Sequence, residues 1–292
     1  MDDLDFSGMG KQKPAQPQQP AAPAPVYVPA IARAFFQSSG KEEVVPAGTK
    51  FFAENEKASR ILLKRDKMYL LEKGEVGLLV KGRPIGTVKV GEIFGEMAAI
   101  SESPRSATAV AKTGCTVISL DDKQFNAALQ QKPEFALMLL GLMIRRLRAM
   151  ISGLSGIPAA GSQQGTRVFD KTMLAALETG LGPSAQVRYE RGKVIMVQGQ
   201  AGALMYVVVE GQVAISLRGA TIERVGPGGV FGEMALIDQS PRAANAAAET
   251  DCHLLAINRQ VFMNLIKSNP TFGVSLLTAA AERVRGLAAG VN

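Results

Sequence analysis

The residues of this chain whose types could do chemistry together lie in Phe231-Gly-Glu-Met-Ala-Leu-Ile-Asp-Gln-Ser-Pro-Arg-Ala-Ala244. That chemistry is the holding of an anion. Gly226, Gly228, Gly229 and Gly232 let the backbone approach a ligand where a Cβ would stand in the way. Glu233 through Ile237 can form a short helical turn whose unpaired N–H groups point outward, a seat for a phosphate. Arg242, from the next segment, brings a charge and a planar fork that suits phosphate oxygens. Glu233 is the odd member, since a carboxylate repels a phosphate. It can accept a hydrogen bond from a hydroxyl, however, and phosphate plus hydroxyl points to a nucleotide with a free ribose 2′-OH.

The same device stands earlier as Phe94-Gly-Glu-Met-Ala-Ala-Ile-Ser-Glu-Ser-Pro-Arg-Ser-Ala107, every position displaced by 137 residues. Both stretches resemble the phosphate-binding cassette of cyclic-nucleotide-binding domains: F-G-E-x-A-L, a short spacer, then P-R-[AST]-A. The second copy matches throughout; the first departs at Ala99, where Leu is usual, and carries Ser106 where Ala is usual. A framework of this length found twice is far more specific than a lone glycine pattern. The resemblance implies one site at Gly95, Glu96, Met97, Ala98, Arg105, Ser106 and Ala107. It implies a second at Gly232, Glu233, Met234, Ala235, Arg242, Ala243 and Ala244. Glu96 and Glu233 look like the ribose 2′-OH acceptors, and Arg105 and Arg242 like the cyclic-phosphate partners. Backbone N–H groups of Ala98, Ser106, Ala235 and Ala243 complete the cradles, and Val88, Ile93, Val225 and Val230 wall the base. The implied ligand is cAMP, with cGMP left open, and no cofactor or metal is expected. Ala243 offers no side-chain hydrogen bond whereas Ser106 can donate or accept one, so the second site is expected to prefer cAMP and the first is uncommitted.

The elements that must position these residues repeat as well. Glu43–Phe52 and Gln186–Ile195 read as strand, turn, strand, and here the offset is 144, which places a seven-residue insertion between Glu56 and Met68. The insertion falls in the basic stretch 57–67, read as a lengthened solvated hairpin or a contact for an anionic surface. Met68–Gly74 and Met205–Gly211, then Val76–Val80 and Val213–Leu217, are short strands between glycine turns. Ala109–Ala111 with Thr116–Leu120, and Ala246–Ala248 with His253–Ile257, close each unit. Such spacing predicts an α+β, mainly β, architecture: two tandem jelly-roll β-barrels, each with an N-terminal helical segment and C-terminal helices. The helices are expected at Asp121–Gln131 and Asn258–Ser268, then from Glu134 to about Met150 and Thr271 to about Leu287, with Pro133 and Pro270 at their first turns. Arg145, Arg146 and Arg148 read as cations placed near a helix C-terminus. The domain boundaries expected are a disordered Pro/Ala/Gln-rich tail at 1–29, units at 30–151 and 167–292, and a linker at 152–166 that leaves the barrels free of a rigid fusion. Residues 1–10 are a solvated tail or a docking motif. Met143 and Leu147, and Val284 and Leu287, are the expected lids over the bases.

Composition bounds the rest. Net charge is +7, but the basic residues are dispersed and aromatics are only 5%, so no nucleic acid partner is expected. No apolar run is long enough for a membrane span, and there is no signal-peptide pattern. Cys115 and Cys252 sit one per repeat in apolar strands and read as core thiols in a reducing cytoplasm. The single His, in a strand, leaves no nucleophile–base pair or metal-ligand spacing, so enzyme activity has no support. The reading is a cytoplasmic, non-enzymatic cyclic nucleotide receptor that signals to a protein partner not identified by the sequence; a homodimer through the C-terminal helices is left open. The alternatives are an adaptor that has lost ligand affinity, or the regulatory subunit of a separate kinase or transporter. Intact Glu and Arg in both cassettes argue against the adaptor, since a buried unpaired arginine would be destabilising.

Overall fold

The computed structural model describes residues 27–57, 66–101, 103–132, 134–153, 165 and 167–290. The N-terminal tail, the interior of the basic insertion, Pro133 and most of the linker lie outside the described residues.

The first unit opens with α1 (Pro29–Ser39) and continues as β1 (Lys41–Val45), β2 (Lys50–Phe52), β3 (Lys67–Lys73) and β4 (Val76–Val80). It proceeds through β5 (Arg83–Val88), β6 (Ile93–Phe94), α2 (Glu96–Ser101), β7 (Thr108–Ala111) and β8 (Cys115–Asp121), and ends in α3 (Asp122–Gln131) and α4 (Glu134–Gly153). Two antiparallel four-stranded sheets, ordered β1-β8-β3-β6 and β2-β7-β4-β5, form a jelly-roll-like body. Its interior holds Phe52, Tyr69, Val76, Phe94 and Val117.

The second unit repeats this plan. It runs α5 (Lys171–Leu181), β9 (Gln186–Tyr189), β10 (Val194–Met196), β11 (Leu204–Glu210), β12 (Val213–Leu217) and β13 (Ala220–Val225). Then come β14 (Val230–Phe231), α6 (Glu233–Asp238), β15 (Asn245–Ala248), β16 (Cys252–Asn258), α7 (Arg259–Ser268) and α8 (Pro270–Gly290). The sheets are β9-β16-β11-β14 and β10-β15-β12-β13, the same topology. Even the β-bulge recurs, at Leu71/Lys73 on β3 and at Val208/Glu210 on β11. The mainly β tandem fold is therefore as the strand spacing predicts. Both cysteines are free and buried.

Side-chain caps start the helices that follow the sheets. Asp121 accepts from Gln124 N, whose side chain accepts from the Asp121 N–H, a reciprocal capping box; Asn258 accepts from Val261 N in the other unit. Aromatic stacking anchors the last helices. Phe135 of α4 stacks on Phe35 with centroids 3.6 Å apart, and Phe272 of α8 stacks on Phe169 at 5.2 Å.

The units are not independent. One continuous apolar cluster runs from Phe35, Phe125 and Leu139 of the first to Phe262, Leu277 and Ala281 of the second. The composition of the linker governs how far the units can separate, not whether their helix faces adhere, and α4 and α8 are too apolar to stay in water. They pack on each other. A Cβ placed on Gly273 would lie 3.4 Å from the Cβ of Ala136, its counterpart 137 residues earlier. A position that meets its own repeat-mate lies on an axis of two-fold pseudosymmetry. About that axis α4 lies against α6 of the second unit, and α8 against α2 of the first.

Candidate functional site

Each cassette begins with a glycine in the left-handed region, Gly95 at φ 75° and Gly232 at φ 81°. Space demands glycine too: a Cβ on Gly232 would stand 2.7 Å from Arg242 Nη1, and one on Gly95 3.1 Å from Arg105 Nη1. The arginines fold back over these turns. Arg105 Nη1 donates to Gly95 O at 2.8 Å; Arg242 donates to Gly232 O and to Leu204 O, both at 2.7 Å. Both side chains are buried. Arg105 also sits 4.2 Å from the ring centroid of Phe52, a cation–π contact, and 3.3 Å from the buried carboxylate of Asp66.

Burial pushes the proton affinity of Arg105 and Arg242 down, only partly opposed by Asp66 and Tyr69 around Arg105 and by Tyr206 and Glu233 around Arg242. Each is a buried cation for which desolvation outweighs the negative charge around it, a setting that favours an incoming anion. Neither is unpaired, however. Backbone carbonyls already satisfy part of each fork, so intact arginines do not by themselves set a ligand-free adaptor aside.

The glutamates are held by the last helices. Arg146 of α4 pairs with Glu96, and Arg283 of α8 donates to Glu233 Oε1 at 2.8 Å. Arg283 also reaches Glu223 at 3.1 Å and Val230 O at 2.7 Å. Burial would weaken its hold on the proton, but Glu223 and Glu233 outweigh this and hold it above the ordinary arginine range. The cluster read as helix-end cations is thus something else: Arg146 clasps its own cassette, and Arg148 crosses to the second unit. There it pairs with Asp238 through Nε and Nη2, the latter at 3.0 Å, and Nη1 donates to Pro241 O at 3.0 Å. A signal for this stood in the repeat: Arg146 and Arg148 recur as Arg283 and Arg285, whereas Arg145 becomes Glu282.

A cavity of about 530 Å³ opens beside the first cassette. Its lining includes Gly95, Glu96, Met97, Ala98, Arg105, Ser106 and Ala107 together with Val88 and Ile93, so every residue expected for the first site borders one space. The volume suits a small organic ligand. Sequence reading missed Tyr27, which lines the cavity and donates its hydroxyl to Gly91 O. It also misplaced the lids. Met143 and Leu147 are buried in the interhelical cluster, and Leu142 is the apolar α4 residue at the cavity. Val284 borders this first cavity, across the pseudosymmetry axis from its own unit; the Leu287 side chain lies outside the described residues. In the second unit Glu233, Arg242, Ala235 and Ala244 are buried, as are Val225 and Val230.

A cassette of this build, set twice in a jelly-roll-like unit closed by helices, defines a class of small-ligand receptor domain. The sequence model of the cyclic nucleotide-binding domain matches residues 42–132 and 186–269, and the chain belongs to that family, in two copies. It is 29% identical over 231 residues to a cAMP-dependent protein kinase regulatory subunit of Eremothecium gossypii, covering 78% of this chain and 44% of that protein. The regulatory subunit of Debaryomyces hansenii is 28% identical over 232 residues, covering 78% and 47%. The chain thus spans less than half the length of the curated relatives it matches. Among solved structures, the regulatory domain of Toxoplasma gondii PKA with cAMP is similar at 24% identity and a TM-score of 0.28, covering 79% of this chain and 83% of that one. Among the described residues no helix is long and apolar enough to cross a membrane.

Proposed function

We propose that this chain is a non-enzymatic cyclic nucleotide receptor, with one site in each of two units bounded near 30–151 and 167–292, that reports its ligand to a partner protein in the cytoplasm. The observation that carries the proposal is the cavity where a buried glutamate, a buried arginine and a left-handed glycine meet. The cyclic phosphate sits on Arg105 or Arg242 and on the backbone N–H groups of Ala98 and Ser106, or Ala235 and Ala243. The ribose 2′-OH donates to Glu96 or Glu233. The base rests on Val88 and Ile93, or Val225 and Val230. The ligand is cAMP, with cGMP as the alternative, and binding calls for no cofactor.

Signalling runs through the clasped glutamates. Glu96 is shared between Arg146 on α4 and the incoming hydroxyl, as Glu233 is between Arg283 on α8 and its own. A ligand that bridges phosphate seat and glutamate therefore binds most tightly with the last helix docked, and that differential affinity is what shifts the helix. The relatives support a kinase as partner, the chain then serving as a regulatory subunit. A homodimer through these helices would have to use faces other than those that α4 and α8 bury on each other within one chain.

Calorimetric titration of the full chain with cAMP, cGMP and a cyclic dinucleotide is the test, with two sites expected for a cyclic mononucleotide. Flat heats for all three would favour the adaptor reading. Hydrogen exchange should slow on ligand addition in residues 94–107 and 231–244 and also in α4 and α8; slowing confined to the cassettes would mean a passive binder.

A further inference from the structure

The wall of the first cavity is completed by the second unit. Val284 and Arg285 of α8 line it, and α8 is pinned to α2 by Thr278, whose hydroxyl donates to Ile100 O at 3.2 Å. Arg285 is the counterpart of Arg148, and the two cross the pseudosymmetry axis in opposite directions to the same position of the opposite cassette helix, Ser101 or Asp238. What they meet there differs. Arg148 has its Nε–Nη2 edge on the Asp238 carboxylate and a third bond from Nη1 to Pro241 O. Arg285 meets a neutral hydroxyl, Ser101 Oγ, with Nη2 at 3.3 Å. This bond is long for N–H···O, brings no countercharge, and occupies one of five donors. Arg285 thus keeps its charge and most of its fork at the cavity wall.

We infer that Arg285 reads the base in the first site and makes that site selective for a guanine cyclic nucleotide. The inference rests on the cyclic nucleotide reading of the cassette. With phosphate on Arg105 and ribose on Glu96, the base fills the remaining space, whose wall includes Val88, Leu142, Arg145, Val284 and Arg285. Guanine presents two adjacent acceptors on its N7/O6 edge, matched to the parallel N–H groups of an arginine fork. Adenine presents N7 beside an amino donor, which opposes a guanidinium. At the second cassette the counterpart, Arg148, is not free to read a base, because Asp238 holds it. The two sites therefore take different bases, and the first is incomplete without the second unit.

The test is calorimetric titration of the full chain with cGMP and cAMP, for the wild type, Arg285→Met and Ser101→Asp. Ser101→Asp installs on the first cassette the carboxylate that holds Arg148 on the second, and so neutralises the reader without removing it. One wild-type site should bind cGMP about tenfold tighter than cAMP, from a bidentate arginine–guanine pair. In both variants that ratio should fall close to one by weakening of cGMP alone. The inference is overturned if no wild-type site prefers cGMP, if the preference survives both changes, or if cAMP weakens in step with cGMP, which would make Arg285 structural. Absence of binding of either nucleotide to the wild type would instead overturn the cyclic nucleotide reading itself.

Discussion

The cross-unit pair of Arg148 and Asp238 allows the association of the two units to be measured. Its side chains are 24% and 8% exposed, it is bidentate, and it adds a bond to Pro241 O. Removing Arg148 leaves a buried carboxylate whose remaining hydrogen bond among the described residues comes from Ser240 N at 3.0 Å. Breaking a fully buried pair destabilises by about 3–5 kcal/mol; with the arginine a quarter exposed, we expect about 2–3 kcal/mol for Arg148→Met. Asp238→Asn should cost somewhat less, since Asn still accepts from Ser240 N. The double mutant should be no worse than Arg148→Met, giving a coupling energy of about 1.5–2 kcal/mol. Arg285→Met, losing a single long bond to a hydroxyl, should cost under about 0.5 kcal/mol. Urea unfolding followed by far-ultraviolet circular dichroism is the assay, as the chain has no Trp. Coupling below about 0.5 kcal/mol, or equal losses for Arg148→Met and Arg285→Met, would refute the assignment of Arg148 as the stronger of the two cross-unit pins.

Three further outcomes are expected. Arg242→Ala should weaken the second site by about 2–5 kcal/mol, because the ligand phosphate loses its desolvated partner; unchanged calorimetric affinity would remove the phosphate role. Asp66 competes with any anion for Arg105, so Asp66→Asn should tighten nucleotide binding at the first site by roughly three- to tenfold, and weaker binding would count against that competition. Tyr69 and Tyr206 are pushed up to about 12, chiefly by burial. Their folded values lie above the unfolded value of about 10, so the neutral phenols add stability that is complete below about pH 10 and is lost as pH rises towards about 12, on the order of 2–3 kcal/mol each. Loss of phenolate absorbance near pH 10 from the folded chain on Tyr69→Phe or Tyr206→Phe would contradict this.

The cassettes were legible because cradling a phosphate beside a hydroxyl requires particular residue types at fixed spacing, and two copies set the register for the strands around them. The cavity wall at Val88 and Ile93 followed from that register. Asp66 was not legible: it sits within a stretch carrying five basic residues, and nothing local shows that its carboxylate turns inward to Arg105. Tyr27 escaped because it precedes the first helical pattern. The helix α5, capped by Asp170 accepting from Met173 N and ended at Gly182, stands where the N-terminal helical segment of the second unit is expected, as α1 does in the first. The clasp of Arg146 on Glu96 joins residues fifty apart, and the packing of α4 on α8 depends on which faces remain apolar after each unit folds. Periodicity within one helix does not say what covers it.

The contact of Ala136 with Gly273 has a consequence for how information is combined. A receptor made of two identical chains around such an axis must carry identical pockets, because every mutation appears twice. Here the two halves share one polypeptide, so each pocket is free to diverge while the axis between them is kept. Joining the halves also fixes their local concentration whatever the abundance of the protein, so the pairing is not lost on dilution. The first pocket borrows part of its wall from the second half, whereas Arg148 crosses to the second only to pin it. With ligand bound in both halves as proposed, such an arrangement would act as a two-input gate with unequal inputs, in which the state of one half is part of the binding surface of the other.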